Sequence, residues 1–214
     1  MINRELYMEQ ITPFIDKPFV KVITGIRRCG KSVVLRLIRE ELLRRGVSED
    51  YIIYMNFESF EWIDMKEAKA LYAHIREATK APGKYYILLD EIQEVTDWEK
   101  AVNAFLVDLD VDIYVTGSNS RLLSSEFSTY LAGRYVAFHI MTLSFREYLL
   151  FHDLPLTISV SDRKTEFLKY LRMGGFPAIH TANYDYNAIY KIVYDIYSSV
   201  ILRDTVQRHS IRNV

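Results

Sequence analysis

The chain has 214 residues, half of them hydrophobic and 26% charged, with a formal net charge of −1. That is enough chain for a full core, one domain plus a smaller appendage, and its near-neutral total gives no chain-wide electrostatic argument for a nucleic-acid or membrane partner. The single cysteine, Cys29, excludes an internal disulfide and predicts a reducing, cytoplasmic setting; MINRELYMEQ has no apolar signal core, and no apolar run approaches the ~20 residues of a membrane helix.

Taken in chain order, FVKVIT (Phe19 to Thr24) is short and β-branched and predicts a strand. It runs into GIRRCGKS, Gly25 to Ser32, which has the spacing G-x-x-x-x-G-K-[ST]. SVVLRLIREELLRRG then puts Val34, Ile38 and Leu42 on one helical face, with Glu40/Arg44 and Glu41/Arg45 as i,i+4 pairs and Gly46 as the stop. YIIYMNFE (Tyr51 to Glu58) predicts a second strand, Met65 to Thr79 a helix, and Pro82-Gly83 a break. YYILLDE (Tyr85 to Glu91) is a continuous apolar run closing on two carboxylates, the pattern of a strand buried on both faces of a parallel sheet. WEKAVNAFLVDL predicts a helix, DIYVTGSNS (Asp112 to Ser120) a fourth strand with a polar end, RLLSSEFSTYLAGR a helix, and YVAFHIMTL (Tyr135 to Leu143) a fifth strand.

Strands separated by helices imply βαβ units, hence an α/β fold with a mainly parallel five-stranded sheet covered on both sides. Past Ser144 the pattern becomes helical, through FREYLLFHDL, RKTEFLKYLRMGG and YDYNAIYKIVYDIYSSVILRD. A boundary is expected between Ser144 and Pro155, with residues 1–150 as the α/β core and 151–214 as a small helical region.

The Gly25–Ser32 loop carries the chemistry. Gly25 and Gly30 permit a tight turn and a close backbone approach that a Cβ would obstruct. The backbone from Gly25 through Ile26, Arg27, Arg28, Cys29 and Gly30 to Val33 can then present N–H groups and a helix N-terminus to an anion. Lys31 reaches β- and γ-phosphates, and Ser32 offers its hydroxyl to Mg2+. A chance match somewhere in the chain has odds of roughly one in a hundred, and the strand before and helix after supply the required context. Arg27 and Arg28 either add charge near phosphate or turn to solvent or a neighbouring acid. Cys29 reads as a small residue in a crowded loop.

Asp90 falls at the C-terminal end of its strand, where open α/β sheets bind ligands, and there it can hold the Mg2+ shell beside Ser32. Glu91 can polarise a water for in-line attack on a γ-phosphate; the plain alternative is a solvated acidic turn. Thr116, Ser118 and Asn119 end the fourth strand. Ser118 or Asn119 can hydrogen-bond the attacking water or the γ-phosphate, and turn chemistry explains the same residues equally well. Arg134 either stabilises transition-state charge, in its own subunit or a neighbour's, or closes a helix C-terminus.

TGIRRCGKS, LLDEIQEVTDWEK, YVTGSNSRLLSSE, YLAGRYVAF, LSFREYL and GGFP, in this order from about Val20 to Pro177, resemble the prokaryotic AAA+ P-loop ATPases that carry a C-terminal domain of unknown function. The resemblance implies a P-loop NTPase three-layer sandwich followed by a helical lid. It assigns Gly25 to Ser32 as the Walker A loop, Asp90-Glu91 as the Walker B pair, Ser118 or Asn119 as the sensor, and Arg134 as the arginine sensing the γ-phosphate. It implies ATP and Mg2+ as cofactors. Two departures stand out: IMTL replaces an expected Leu-Pro before SFREYL, and relatives continue well past this length, so the chain is expected to be either a fragment without the part that would hold specificity or a shortened relative.

Three functions fit these motifs: an ATP-hydrolysing switch or motor, a regulatory module that holds ATP or ADP with negligible turnover, and a small-molecule kinase. The Asp90-Glu91 pair favours attack by water over the kinase. Arg203, Arg208, His209 and Arg212 make the end mildly basic, which leaves DNA open as a partner. A homo-oligomer is open as well, and no membrane partner is expected. Tyr186, Tyr190, Tyr194 and Tyr197 recur at helical spacing beside Val193, Val200 and Ile201; packing on the core is the first reading, a face for an absent domain or partner chain the second.

Overall fold

Five strands join in one sheet in a computed structural model of the chain, which describes residues 3–117, 131–182 and 184–200. They are β1 (Val20–Gly25), β2 (Ile52–Asn56), β3 (Tyr85–Asp90), β4 (Val111–Gly117) and β5 (Tyr135–Ile140), in the order β2-β3-β4-β1-β5. β1 pairs with β4, β2 with β3, and β3 with β4, all parallel. The helices are α1 (Glu5–Ile11), α2 (Lys31–Arg44), α3 (Ala68–Ala78), α4 (Trp98–Asp108), α5 (Phe145–Phe151), α6 (Val160–Met173) and α7 (Tyr186–Val200). The five predicted strands are all present, though β5 stops at Ile140, short of the predicted Leu143. The helix expected from Met65 starts later, because a 3-10 segment, Phe60–Met65, precedes α3. Helix α1 was not anticipated. Ser118, Asn119, the 121–130 part of RLLSSEFSTYLAGR, and Arg203, Arg208, His209 and Arg212 lie outside the described residues.

The chain divides into two compact units. One comprises Glu5–Gly25 and Lys31–His139; the other comprises Met1–Arg4, Ile26–Gly30 and Ile140–Val214.

In the first unit the alternation of each strand sorts its side chains between the two sheet faces. Val20, Val22, Ile87, Leu89, Ile113 and Val115 share a buried cluster with Leu71 and Ile75 of α3 and Val102 and Phe105 of α4. Helix α2, whose residues are absent from that cluster, lies against β1, β3 and β4, so helices cover both faces. It buries Val34, Ile38 and Leu42 as the periodicity predicted. Its Glu41 takes both Arg44 and Arg45, at 2.5 and 2.8 Å; Arg44 therefore turns to the residue three back instead of Glu40.

A buried polar network ties the segment before β1 to the sheet. The Lys21 ammonium pairs with Asp112 and donates to the Lys17 carbonyl at 2.9 Å. Asp112 also accepts from the Tyr114 hydroxyl at 2.8 Å and the Asp16 amide at 2.9 Å, and Asp16 accepts from Tyr86 at 2.8 Å. Burial pushes the Lys21 ammonium below its usual pKa although Asp112 opposes that shift. Removing Asp112 leaves the buried Lys21 ammonium with the Lys17 carbonyl but without its ion-pair partner. Asp112→Ala is therefore expected to lower unfolding free energy by about 3 kcal/mol, read from urea midpoints; a loss below about 0.5 kcal/mol, the scale of ordinary surface substitutions, would contradict this account.

The second unit is helical and aromatic. Ser144 and Glu147 form a capping box at the start of α5. Rings of Phe145, Tyr148, His152, Phe167, Tyr170 and His180 pack on one another. The Tyr148 hydroxyl donates to Glu166 at 2.9 Å and the Tyr170 hydroxyl to the Leu143 carbonyl at 2.8 Å. Gly175, in the GGFP stretch, accepts from the Leu143 amide at 2.7 Å, and a Cβ there would stand 2.5 Å from the Leu143 carbonyl oxygen, so only glycine fits. On α7, Ile189 and Ile196 are buried while Tyr186, Tyr190, Tyr194 and Tyr197 are exposed. The tyrosine stripe is thus the outer face of that helix rather than its packed one. Among the described residues no helix is long and apolar enough to cross a membrane.

Candidate functional site

Parallel register brings chemistry to one edge of the sheet. Leu89 lies opposite Val115 and Asn56 opposite Asp90, so the next step up β4 sets Thr116 beside Asp90. Ile23 and Thr24 of β1 stand opposite Thr116 and Gly117. The C-terminal ends of β1, β3 and β4 therefore meet at the position where α/β sheets bind ligands.

Asp90 is fully buried. The Thr116 hydroxyl donates to its Oδ1 at 2.5 Å, and the Tyr54 hydroxyl donates to its Oδ2 at 3.0 Å. Each oxygen keeps further lone-pair capacity, since an ionised carboxylate offers about four acceptor positions. Burial first, then the Asp90 charge and hydrogen bond, push the Tyr54 phenol well above its usual pKa, so it remains a proton donor to Asp90. Tyr54 escaped the sequence reading because its role depends on a neighbouring strand. Thr116 was named there only as one of three polar residues at a strand end; here it holds both acids, because its oxygen also accepts the Glu91 amide at 2.9 Å.

Glu91 sits in the left-handed region, φ 54° and ψ 48°, which costs a non-glycine residue about 1 kcal/mol. That backbone turn lifts its carboxylate off the strand. One oxygen accepts from Gln93 Nε2 at 2.5 Å and the other lies 3.5 Å from the Lys31 ammonium. Gln93 Oε1 is buried without a hydrogen-bond partner among the described residues, an acceptor that calls for a donor such as water. Gln93 was visible in the sequence only as the last letter of DEIQ.

Lys31 opens α2 and is itself buried, its ammonium also 3.4 Å from the Gly25 carbonyl. Ser32 and Val33 follow in the same first turn, both half-buried. Gly25 ends β1 at φ 153°. Arg134 is exposed, and its guanidinium donates to the Asn103 side chain of α4 at 3.0 Å.

Residues Ile26–Gly30 belong to the helical unit. Arg28 and Gly30 have φ of 64° and 104°, Arg28 is exposed, and Arg27 is half-buried. The Cys29 amide donates to the Ile26 carbonyl at 3.3 Å, closing a tight turn, and Cys29 is fully buried, as expected for a small residue in a crowded loop.

A family described as an AAA domain matches residues 17–149. The chain is 40% identical over 216 aligned residues to an uncharacterised protein of Haemophilus influenzae, covering all of this chain and 52% of that protein. It is 35% identical over 219 residues to an uncharacterised protein of Methanocaldococcus jannaschii, covering all of this chain and 47% of that one. The chain thus spans about half the length of these curated relatives. Among solved structures, AMPPCP-bound DnaA from Aquifex aeolicus is similar in fold, with a TM-score of 0.55 and 15% identity over 97% of this chain and 67% of that one.

Proposed function

The chain belongs to the AAA domain family of nucleotide-binding, ATPase-like modules, and we propose that it binds ATP with Mg2+ and hydrolyses the γ-phosphate, as a molecular switch or motor domain. The observation that carries the reading is the Lys31–Glu91 pair, 3.5 Å apart, beside the buried Asp90 at the ends of parallel strands. A cation for phosphate, a carboxylate for metal and a second carboxylate for water are the parts that phosphoryl transfer to water requires.

The backbone of Gly25 to Ser32 cradles the phosphates in this reading, and Lys31 leaves Glu91 to meet them. Among the described residues no group of three or more His, Cys, Asp or Glu side chains is set to hold a metal alone. Magnesium needs no such cage: one carboxylate, a hydroxyl, waters and phosphate oxygens suffice. Asp90, with acceptor capacity beyond its two hydroxyl donors, fits that demand, and Ser32 supplies the hydroxyl. Bound there, magnesium would neutralise charge on the phosphate oxygens. Glu91 takes the proton of the attacking water, and Gln93 Oε1, the buried acceptor beside it, helps to orient that water. Ser118 or Asn119 contacts the γ-phosphate. Arg134, exposed and hydrogen-bonded to Asn103 of α4, acts on a neighbouring copy, which requires a homo-oligomer.

That DnaA, similar in fold, was solved with AMPPCP supports an adenine nucleotide. A second reading is a nucleotide-gated regulatory or DNA-associated module with negligible turnover; the low turnover is favoured by one feature, that Glu91 is held by both Gln93 and Lys31. Calorimetry with Mg-ATP and Mg-ADP, followed by phosphate release with and without DNA, separates the two. Binding with release that stops when magnesium is chelated is the expected result. Binding without release selects the second reading, and no heat with either nucleotide rejects both.

A further inference from the structure

Arg4 lies outside every motif read from the sequence, yet its side chain is 2% exposed and sits against the loop. Its guanidinium donates to the Cys29 carbonyl at 3.0 Å, to the Met141 carbonyl at 3.0 Å, and to both Glu147 oxygens at 2.5 and 3.4 Å. A Cβ on Gly30 would stand 3.3 Å from Arg4 Nη1, so the guanidinium is packed directly on the Cys29–Gly30 peptide. Glu147 is held in turn by the Ser144 amide at 2.8 Å and hydroxyl at 2.9 Å. All of these groups belong to one compact unit.

We propose that Arg4 is a positioning residue for nucleotide: it clamps the Cys29–Gly30 peptide and so fixes the direction in which the Gly30 amide donates. The reason is planarity. The peptide bonds described here are trans, and in a planar trans peptide the carbonyl and the amide point opposite ways. A guanidinium that pins the Cys29 oxygen on one side aims the Gly30 N–H away from itself. An unpinned peptide flanked by a glycine turns easily, because Gly30 at φ 104° has no Cβ to restrict it. A donor that must be aimed when phosphate arrives binds it less tightly than one already in place. The planar fork makes four such bonds, one more than a lysine ammonium has donors, and takes Glu147 through two nitrogens at once, so lysine is not an equivalent replacement here. Glu147 keeps the buried cation in place and, as the N3 member of the α5 capping box, joins the loop to the start of that helix.

The inference rests on the nucleotide-binding reading, and its test separates the two. Cys29 is the only cysteine in the chain and is followed by glycine. Labelling with carbonyl-13C cysteine and 15N glycine therefore gives one amide–carbonyl NMR correlation, that of the Cys29–Gly30 peptide. The intact chain is titrated with Mg-ADP as wild type, Arg4→Lys and Glu147→Gln. In wild type the signal is expected to move on titration. In folded Arg4→Lys it is expected to start from a different position, with the ADP dissociation constant raised about tenfold or more and, where turnover is measurable, KM raised with kcat changed less than about twofold. A purely architectural role would lower the thermal midpoint and leave the signal and the affinity alone, and that result overturns the proposal. If Arg4→Lys does not fold, Glu147→Gln decides: a shifted signal with weaker ADP binding supports the clamp, and wild-type values overturn it. Wild type that shows no response to ADP sinks the nucleotide-binding reading, and this inference with it.

Discussion

Replacing Lys31 by alanine is expected to lower ATP and ADP affinity by roughly a thousandfold, about 4 kcal/mol, and to abolish phosphate release. The size follows from where the ammonium stands. It is buried at the first turn of α2, 3.5 Å from Glu91 and 3.4 Å from the Gly25 carbonyl, so it meets an incoming phosphate with little water between them. Charge-assisted hydrogen bonds in such surroundings are about twice as strong as neutral ones. Folding should survive, because the partner Glu91 carboxylate is 17% exposed and can be rehydrated when the cation goes. Lys31→Met, which keeps the apolar stem, should bind as poorly as Lys31→Ala; this separates the charge from the packing of the stem. Calorimetry with Mg-ADP reads both variants. Affinity within about threefold of wild type for either one, on the tenfold-per-1.4 kcal/mol scale, would remove Lys31 from the phosphate site.

Glu91→Gln should divide binding from turnover. The new amide keeps the size of the side chain and leaves the backbone bond from the Glu91 N–H to Thr116 in place, so nucleotide affinity should stay within about threefold of wild type. It cannot take a proton, and phosphate release should fall by roughly a thousandfold, within the range assigned to a positioned general base. A drop in affinity equal to the drop in turnover would mean that Glu91 holds the site together through Lys31 and Gln93 and performs no proton transfer. Undiminished release would transfer the base role to another residue.

The two acids show how far a linear reading carries. YYILLDE identifies a strand buried on both faces because seven consecutive letters state both its burial and its end. GIRRCGKS needs only local spacing, since the loop and the helix that follows it are neighbours in the chain. Asp90 was legible for the same reason. Its donors were not: Tyr54 comes from β2 and Thr116 from β4, and they reach Asp90 only through the register of three parallel strands. Arg4 is further from view, since its partners lie 25, 137 and 143 positions away. The tyrosines of α7 were misjudged because helical periodicity tells which residues share a face but not which face is covered.

Sequence by itself determined the α/β class, the five strands, the Gly25–Ser32 loop between a strand and a helix, and the pair of carboxylates, because each depends on periodicity or spacing within a few residues. Tertiary structure alone decided that Thr116 bridges Asp90 and Glu91, that Glu91 is held by Lys31 and Gln93, and that Arg4 grips the loop carbonyl. Those contacts join residues distant in the chain, and a buried polar group takes whatever partner the packed fold delivers, since leaving it unpaired costs more than almost any local preference.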